Sequence, residues 1–246
     1  MTDQDIYASL KAHLEDLEEK SGRWHTHTCS SFLNEEELAA MHKYFRESDH
    51  IVYDGGYADA RKKKIIFRYD AEDDFSDVVC LAAKIDQRFR KIGHRDILGA
   101  LMHLQIDRHS FGDFWVEDDH IYLYTSSEMA EFLMANLIRI NQLSVSFSLL
   151  DDHPVQKFQM KEITVVAASE RADAIVASLA HVSRAKAKEM IRQGLVQLNH
   201  VTLEHPDEVC NNNVTISIRG VGRFVFTGTE RTTRNGRIAA VFQQYI

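Results

Sequence analysis

Three cations stand four residues apart near the carboxyl end of the chain, at Arg184, Lys188 and Arg192. Residues spaced by four share one face of a helix, so this spacing predicts a row of positive charge with no acidic residue in it. Such a row suits the phosphates of a nucleic acid, which are contacted without regard to base sequence. The alternative is a solvated helix face, because charged rows often have no other role.

The residues around this row predict the elements that would hold it. Ser183 can cap a helix by accepting a backbone N–H, and Gly194 can end that helix in a left-handed conformation. Ala187, Met190 and Ile191 share a neighbouring face and predict its buried side. We expect the RNA-binding surface to consist of the row and of flanking residues: Arg171, Ser183, Lys186, Gln193, Asn199, Arg219 and Arg223.

Four motifs occur in order around the same residues. They are Arg171-Ala-Asp173, Ser183-Arg184, Gly194-Leu-Val-Gln-Leu-Asn199 and Arg219-Gly-Val-Gly-Arg-Phe224. With them the segment resembles the RNA-binding domain named after ribosomal small-subunit protein four. The resemblance implies that a helix pair and the following hairpin hold structured RNA, by shape more than by base sequence. His200 departs from the pattern, which has glycine after the asparagine.

The charge of the chain is segregated. Its 246 residues carry 29 Lys and Arg against 37 Asp and Glu, a net charge of −8. Residues 169–246 hold ten Lys and Arg and seven Asp and Glu, so this part is net +3 and the rest is net −11. The local field governs phosphate binding, so an acidic total does not exclude an RNA partner.

The composition indicates an ordinary globular protein of two or three small domains, with 44% hydrophobic and 27% charged residues. No apolar run reaches membrane-spanning length, and the amino terminus is acidic rather than signal-like. Cys29, Cys80 and Cys210 form no paired motif, which favours free thiols and a cytoplasmic location.

The predicted fold class is α+β, in three parts. Residues 1–74 are a small α+β unit, 75–157 a ferredoxin-like (split βαβ) domain, and 158–246 a domain of two helices plus a β-hairpin. The middle part has the order β-α-β-β-α-β, with a second helix over 128–140 that buries Phe132 and a last strand over Leu143–Leu149. It lacks the aromatic stacking signature of the RNA recognition motif.

Further motifs extend the comparison toward the amino terminus. They are Asp54-Gly-Gly-Tyr57, Ala60-Arg-Lys62, Arg95–Met102, Asp107-Arg108 and Gly112-Asp113. Over residues 32–246 the chain is similar to the YlmH-type bacterial RNA-binding proteins. The resemblance implies binding of structured RNA without catalysis. The implied RNA is ribosomal RNA of the large subunit, with or without tRNA, during rescue of stalled ribosomes. A link to cell division is implied as well.

Two other cationic clusters are candidates for secondary RNA contacts. In Arg61-Lys62-Lys63-Lys64, alternate members would project from one side of a strand; a solubilising strand edge is the alternative. Arg88, Arg90, Lys91 and Arg95 surround the start of a helix, whose dipole would favour an anion. From these clusters we select Arg61, Lys62, Lys63 and Arg95.

Two constellations bear on metal binding and catalysis. His25, His27 and Cys29 alternate and could meet one zinc ion from a strand, but no fourth ligand is apparent, so we predict no metal site. His94-Arg95-Asp96 resembles the catalytic aspartate motif of pseudouridine synthases, but the residues after Asp96 differ, and we expect its carboxylate in the first turn of a helix. No Gly-rich phosphate loop is present, and no cofactor is predicted.

The leading hypothesis is therefore RNA binding without catalysis. The alternatives are an RNA-modifying enzyme, such as a relative of the pseudouridine synthases, and a cell-division adaptor. On the leading hypothesis, Arg184→Glu combined with Lys188→Glu would abolish RNA association and leave the fold intact. The sequence makes no prediction about the oligomeric state.

Overall fold

The computed structural model of the chain describes residues 3–88, 91–233 and 236–246. Its contacts divide the chain into two compact units, an N-terminal unit (Met1–Gln156) and a C-terminal unit (Lys157–Ile246). Among the described residues, no helix has both the length and the apolar character that a membrane crossing requires.

The N-terminal unit begins with two helices packed on a three-stranded antiparallel sheet of order β1-β3-β2. The elements are α1 (Asp3–Trp24), β1 (Thr28–Cys29), α2 (Glu35–Met41), β2 (Ile51–Asp54) and β3 (Lys64–Phe67). Asn34 starts α2 with a capping box, since its side chain accepts from the Glu37 backbone N–H and the Glu37 side chain accepts from the Asn34 backbone N–H. Leu14 and Met41 fill the core of this part.

The rest of the N-terminal unit has the predicted ferredoxin-like order. Its elements are β4 (Val78–Lys84), α3 (His94–His103), β5 (Phe111–Glu117), β6 (His120–Ser126), α4 (Ser127–Asn136), β7 (Arg139–Ile140), β8 (Leu143–Ser144) and β9 (Ser148–Leu150). The four-stranded antiparallel sheet has the order β5-β6-β4-β9. In it β6 separates β4 from β5, which is the split βαβ arrangement, and the α+β fold class is confirmed.

The end of this domain differs from the prediction in two places. The last strand is β9, not Leu143–Leu149, because the chain first forms the short β7–β8 hairpin. Val145 and Phe147 are still buried, so the alternation of apolar residues reflects burial without a strand. Phe132 on α4 is 40% exposed, because Ala130 and Leu133 form the inner face of that helix.

One face of the four-stranded sheet is aromatic and covered. Trp115 and Tyr124 lie on it, 6% and 0% exposed, with their ring centroids 5.9 Å apart. Tyr57 packs on both rings, and Phe32 belongs to the same buried cluster. The RNA recognition motif stacks bases on the corresponding aromatic residues of its sheet. Here Phe32 and Tyr57, from the first part of the chain, pack on that face instead.

The C-terminal unit packs two helices against a six-stranded sheet of order β10-β15-β14-β13-β11-β12. Its elements are β10 (Met160–Ala167), α5 (Ala172–Leu179), α6 (Arg184–Arg192), β11 (Val196–Leu198), β12 (Val201–Thr202), β13 (Thr215–Ile218), β14 (Gly222–Thr232) and β15 (Ile238–Tyr245). The predicted helix pair and β13–β14 hairpin are present, and β11 and β12 add a second hairpin. Ile175, Ile191 and Phe242 lie in its core.

Candidate RNA-binding surface

Helix α6 begins and ends as the sequence predicts. The Ser183 hydroxyl accepts from the Lys186 backbone N–H at 3.2 Å and caps the first turn. At the other end Gly194 has φ +68°, its N–H donates to the Ile191 carbonyl, and the Leu195 N–H donates to the Met190 carbonyl. These two bonds are a Schellman motif, which needs a left-handed residue where Gly194 stands.

The cation row on α6 meets a carboxylate that the row itself does not contain. Asp173 of α5 is fully buried, and the Arg184 guanidinium donates to both of its oxygens at 2.8 Å. The Lys188 ammonium is 3.6 Å from the same carboxylate, and the Arg171 guanidinium is 3.3 Å away. The row itself contains no acidic residue, as predicted, but its cations do have an acidic partner, because Asp173 comes from the neighbouring helix.

This carboxylate fixes the cations without cancelling them. Burial alone would raise the pKa of Asp173, but hydrogen bonds from Arg171 and Arg184 outweigh burial and lower it. Three positive groups thus surround one negative group, leaving a net charge of +2. The Arg171, Arg184 and Lys188 side chains remain 40%, 47% and 42% exposed. A phosphate can reach them from solvent.

The other predicted contacts on α6 differ in how they are engaged. Lys186 and Gln193 both bind Glu189, at 3.1 and 3.0 Å, so the charge of Lys186 is balanced locally. Arg192 and Arg219 are exposed, and the described residues provide no carboxylate within ion-pair distance of either. The Arg219 backbone N–H donates to the Leu195 carbonyl, which places Arg219 beside the end of α6. These two arginines are therefore exposed members of the predicted set whose charge no described carboxylate balances.

The hairpin residues of the predicted set have structural partners. Asn199 and His200 form the β11–β12 turn with φ +46° and +68°, a conformation that glycine adopts with less strain than histidine. The Asn199 side chain accepts from the Thr215 backbone N–H at 3.0 Å and ties this turn to β13. The Arg223 guanidinium lies 5.8 Å from the centre of the Tyr245 ring. Asn199 therefore has a structural role in addition to the RNA contact predicted for it.

The sequence suggested that the Arg61–Lys64 run forms an exposed strand edge, but the structure shows otherwise. Lys64 is buried and ion-pairs with Asp77. The Lys62 ammonium donates to the carbonyls of Arg108 and Phe111 at 2.5 and 2.7 Å, and burial lowers its pKa to about 8. Lys62 therefore holds the fold together rather than presenting its charge to a partner.

The remaining secondary candidates lie in different settings. Lys63 exchanges two backbone hydrogen bonds with Leu33, and its side chain is half-buried. The Arg61 guanidinium is 4.0 Å from Glu35. Arg95 is exposed in the first turn of α3. Of the cluster around that helix, Arg88 pairs with Asp86, and Arg90 lies outside the described residues.

The motifs of the first two parts converge in one hydrogen-bonded framework. The Asp113 Oδ2 atom accepts from the Tyr57 hydroxyl at 2.8 Å and from the Arg61 backbone N–H at 2.6 Å. Gly55 leaves no room for a side chain, because a Cβ there would lie 2.6 Å from the Lys62 carbonyl oxygen. Gly112 likewise faces the Phe32 ring. Each motif was visible in the sequence, but nothing in it showed that they meet.

The metal and catalytic constellations have structural explanations. His27 stacks on Phe75 and lies 2.9 Å from Asp73, and the described residues contain no group of three metal-ligating side chains. The Asp96 carboxylate accepts from the Gly93 backbone N–H at 2.9 Å and from Asn141 at 2.6 Å. Asp96 therefore stands in the first turn of α3, as predicted, with both oxygens engaged.

Comparison with known proteins identifies the middle of the chain. Residues 71–153 match the family described as "Putative RNA-binding domain in YlmH". This part of the chain is similar to the YlmH-type domain. This range spans the whole β5-β6-β4-β9 sheet and its two helices, and the resemblance predicted from the motifs is confirmed.

Two further proteins are similar to this chain. Over 224 residues the chain is 28% identical to ribosome-associated protein quality control protein P2 of Bacillus subtilis strain 168, covering 87% of this chain and 86% of the relative. Among solved structures, the cell division protein ylmH from Streptococcus pneumoniae matches 61% of this chain and 93% of its own, at 15% identity. The TM-score of that match is 0.47.

Proposed function

We propose that this chain is a non-catalytic RNA-binding protein of ribosome-associated quality control. Its C-terminal unit would contact ribosomal RNA of the large subunit, with or without tRNA, as a domain of the ribosomal protein S-four type. The relative from Bacillus subtilis supports the quality-control role by its name, and the YlmH-type domain supports an RNA partner. The link to cell division stays a prediction.

The observation that carries the proposal is the set of cations held around Asp173. Structured RNA is recognised through the positions of its phosphates, which requires donors at fixed distances from one another. The ion pairs of Asp173 fix Arg171, Arg184 and Lys188, and Arg192 and Arg219 extend the same positive surface past the end of α6. The alternative, a solvated helix face that only aids solubility, does not require a buried carboxylate that fixes the positions of its cations.

The ion pairs of Arg184 and Lys188 make these two residues unsuitable for testing the proposal. Arg184→Glu with Lys188→Glu would place two carboxylates against the buried carboxylate of Asp173. That double change would weaken the fold, because a buried charge without an opposite partner is costly. Loss of RNA binding would then have two explanations, so we expect the double variant to be a poor test of the surface.

Arg192→Glu with Arg219→Glu is the sharper test, since neither arginine has an ion pair to lose in the described chain. We expect this variant to bind purified large ribosomal subunits at least tenfold more weakly than the wild type in sedimentation assays. Its thermal unfolding should be unchanged. The matched control is Lys161→Glu with Arg231→Glu, which makes the same charge change on exposed residues of β10 and β14.

Equal weakening in both variants would mean that only net charge matters and would count against the proposed surface. Wild-type binding by the Arg192→Glu/Arg219→Glu variant would overturn it. A parallel assay with large subunits that carry peptidyl-tRNA tests the tRNA part: tighter binding to them than to vacant subunits is the expected result.

A further inference from the structure

The N-terminal unit contains a cavity of about 420 Å³, lined by both apolar and charged residues, beside the Asp113 framework. We refer to it as the Asp113 pocket and define it by Glu35, Arg61, His94, Arg108, Asp113 and Phe114, which line it. None of the RNA contacts proposed for the C-terminal unit lies here. The pocket is close to the lower end of the usual size range for small-molecule sites.

One wall of the pocket is an aromatic platform. The His94 imidazole stacks on the Phe114 ring with centroids 4.3 Å apart and an interplanar angle of 18°. His94 is an exposed residue, whereas the Phe114 ring on which it stacks is buried. Burial and the nearby Arg61 lower the pKa of His94, so the ring is neutral at pH 7. The second face of a neutral, anchored ring can stack on a planar base.

A second wall offers a fixed hydrogen-bond acceptor. The Asp113 Oδ2 atom is occupied by Tyr57 and Arg61, which hold the carboxylate in place. Its Oδ1 atom has no hydrogen bond within the residues that the structure describes. A carboxylate oxygen in that position can accept from the exocyclic amine of adenine, guanine or cytosine.

The rim of the pocket carries Arg108 on a fixed backbone. Asp107 accepts from the His109 N–H and starts the short 3₁₀ turn Arg108–Ser110, and Lys62 donates to the Arg108 carbonyl. The Arg108 side chain is exposed, and no described carboxylate pairs with it. An exposed guanidinium on a fixed backbone is suited to binding a phosphate.

We propose that the Asp113 pocket binds one unpaired ribonucleotide. The base would stack on His94, its exocyclic amine would donate to Asp113 Oδ1, and its phosphate would lie against Arg108. This inference deepens the proposed function and rests on it, because it gives the N-terminal unit a contact with single-stranded RNA. The C-terminal unit would hold folded RNA by its backbone.

The test measures binding of fluorescein-labelled tetraribonucleotides of A, C, G and U to the full-length protein by fluorescence polarisation. We expect His94→Ala to weaken binding about tenfold, the loss of one base stack. Arg108→Ala should weaken binding and lower its salt dependence by about one phosphate contact. The controls are His103→Ala at the other end of α3 and Arg46→Ala, which are exposed and do not line the pocket. Both should bind within about twofold of wild type.

Competition with the four ribonucleoside monophosphates separates the two sources of this ligand. Tighter binding of tetramers than of monophosphates assigns the pocket to RNA, and equal binding assigns it to free nucleotides; both support the site. The proposal is overturned if the His94 and Arg108 variants bind like their controls, or if wild-type protein binds no tetramer at millimolar concentration.

The Arg192→Glu/Arg219→Glu variant keeps this test independent of the proposed function. This variant should bind the tetramers as the wild type does, while its binding to the large ribosomal subunit is weakened. If it instead loses both, and the pocket variants lose neither, the C-terminal surface accounts for all RNA binding and the pocket inference fails alone.

Discussion

A fully buried carboxylate is stable in its charged form only when neighbouring groups replace the water it has lost. Asp173 meets this condition with Arg171, Arg184 and Lys188, each of which keeps about half of its own side chain in solvent. The arrangement ties helix α5 to helix α6 by charge as well as by apolar packing. A single residue thus connects the stability of the C-terminal unit to the geometry of its positive surface.

Replacing Asp173 with asparagine should lower the free energy of unfolding by about 1–3 kcal/mol at pH 7, because the charge-assisted bonds are lost. The folded pKa of Asp173 is lowered, so its contribution is complete above the unfolded pKa of about 3.9 and disappears as the pH falls through the folded pKa. Urea unfolding of both proteins from pH 6 to pH 3 measures this. Glu189→Gln, on an exposed pair, should cost less than about 0.5 kcal/mol.

Two glycines of the N-terminal unit should respond oppositely to alanine. At Gly55 a Cβ would lie 2.3 Å from the Ala60 Cβ and 2.6 Å from the Lys62 carbonyl oxygen, so Gly55→Ala should destabilise by about 1–3 kcal/mol. At Gly99, inside α3, a Cβ meets nothing within 4 Å, so Gly99→Ala should stabilise by up to about 1 kcal/mol. Denaturant midpoints compare the two. Equal stability of both variants would contradict the steric account of the Gly55 turn.

At the scale of elements, α6 was predictable because its signals are local. The cap at Ser183, the stop at Gly194 and the buried Ala187 face are all within a few residues of one another. Asp173 was not predicted as a partner, because it precedes Arg184 by eleven positions and approaches it only when α5 and α6 pack. Spacing within one helix reveals which charges share a face, but not which charges another element brings to that face.

The β-strands show the same limit. The order β5-β6-β4-β9 followed from the sequence of helical and strand patterns. The last strand was misplaced because alternating burial of Val145 and Phe147 imitates a strand, although neither residue belongs to one. Lys62 and Lys64 were misread for a related reason, since tertiary contacts with carbonyls and Asp77 turned two surface-type residues inward.

The end of helix α6 should contribute to RNA binding in a salt-dependent way. Arg192→Ala should weaken binding to a structured ribosomal RNA fragment and reduce the slope of log K against log salt by about one, the effect of one lost phosphate contact. Filter binding between 50 and 300 mM KCl measures the slope. Ala185→Gly, on an exposed position of the same helix, should change stability and leave the slope unaltered. A slope unchanged in Arg192→Ala would remove this residue from the interface.

At the scale of the whole molecule, the division into two compact units predicts that residues 157–246 fold alone. This fragment has its own core around Ile175, Ile191 and Phe242 and its own sheet. A 90-residue domain of ordinary stability would unfold cooperatively with about 4–13 kcal/mol. Circular dichroism during urea unfolding measures it, and an unfolded fragment would show that its core depends on the N-terminal unit.

The covered aromatic face of the ferredoxin-like sheet has a practical consequence. The region matched by the YlmH family, 71–153, leaves out Phe32 and Tyr57, which shield Trp115 and Tyr124. In a fragment trimmed to that region, the buried aromatic cluster would become an exposed hydrophobic surface. Such surfaces promote self-association. Fragments intended for binding studies should therefore keep the first seventy residues, since Phe32 and Tyr57 of that small α+β unit cover the aromatic face of the ferredoxin-like sheet.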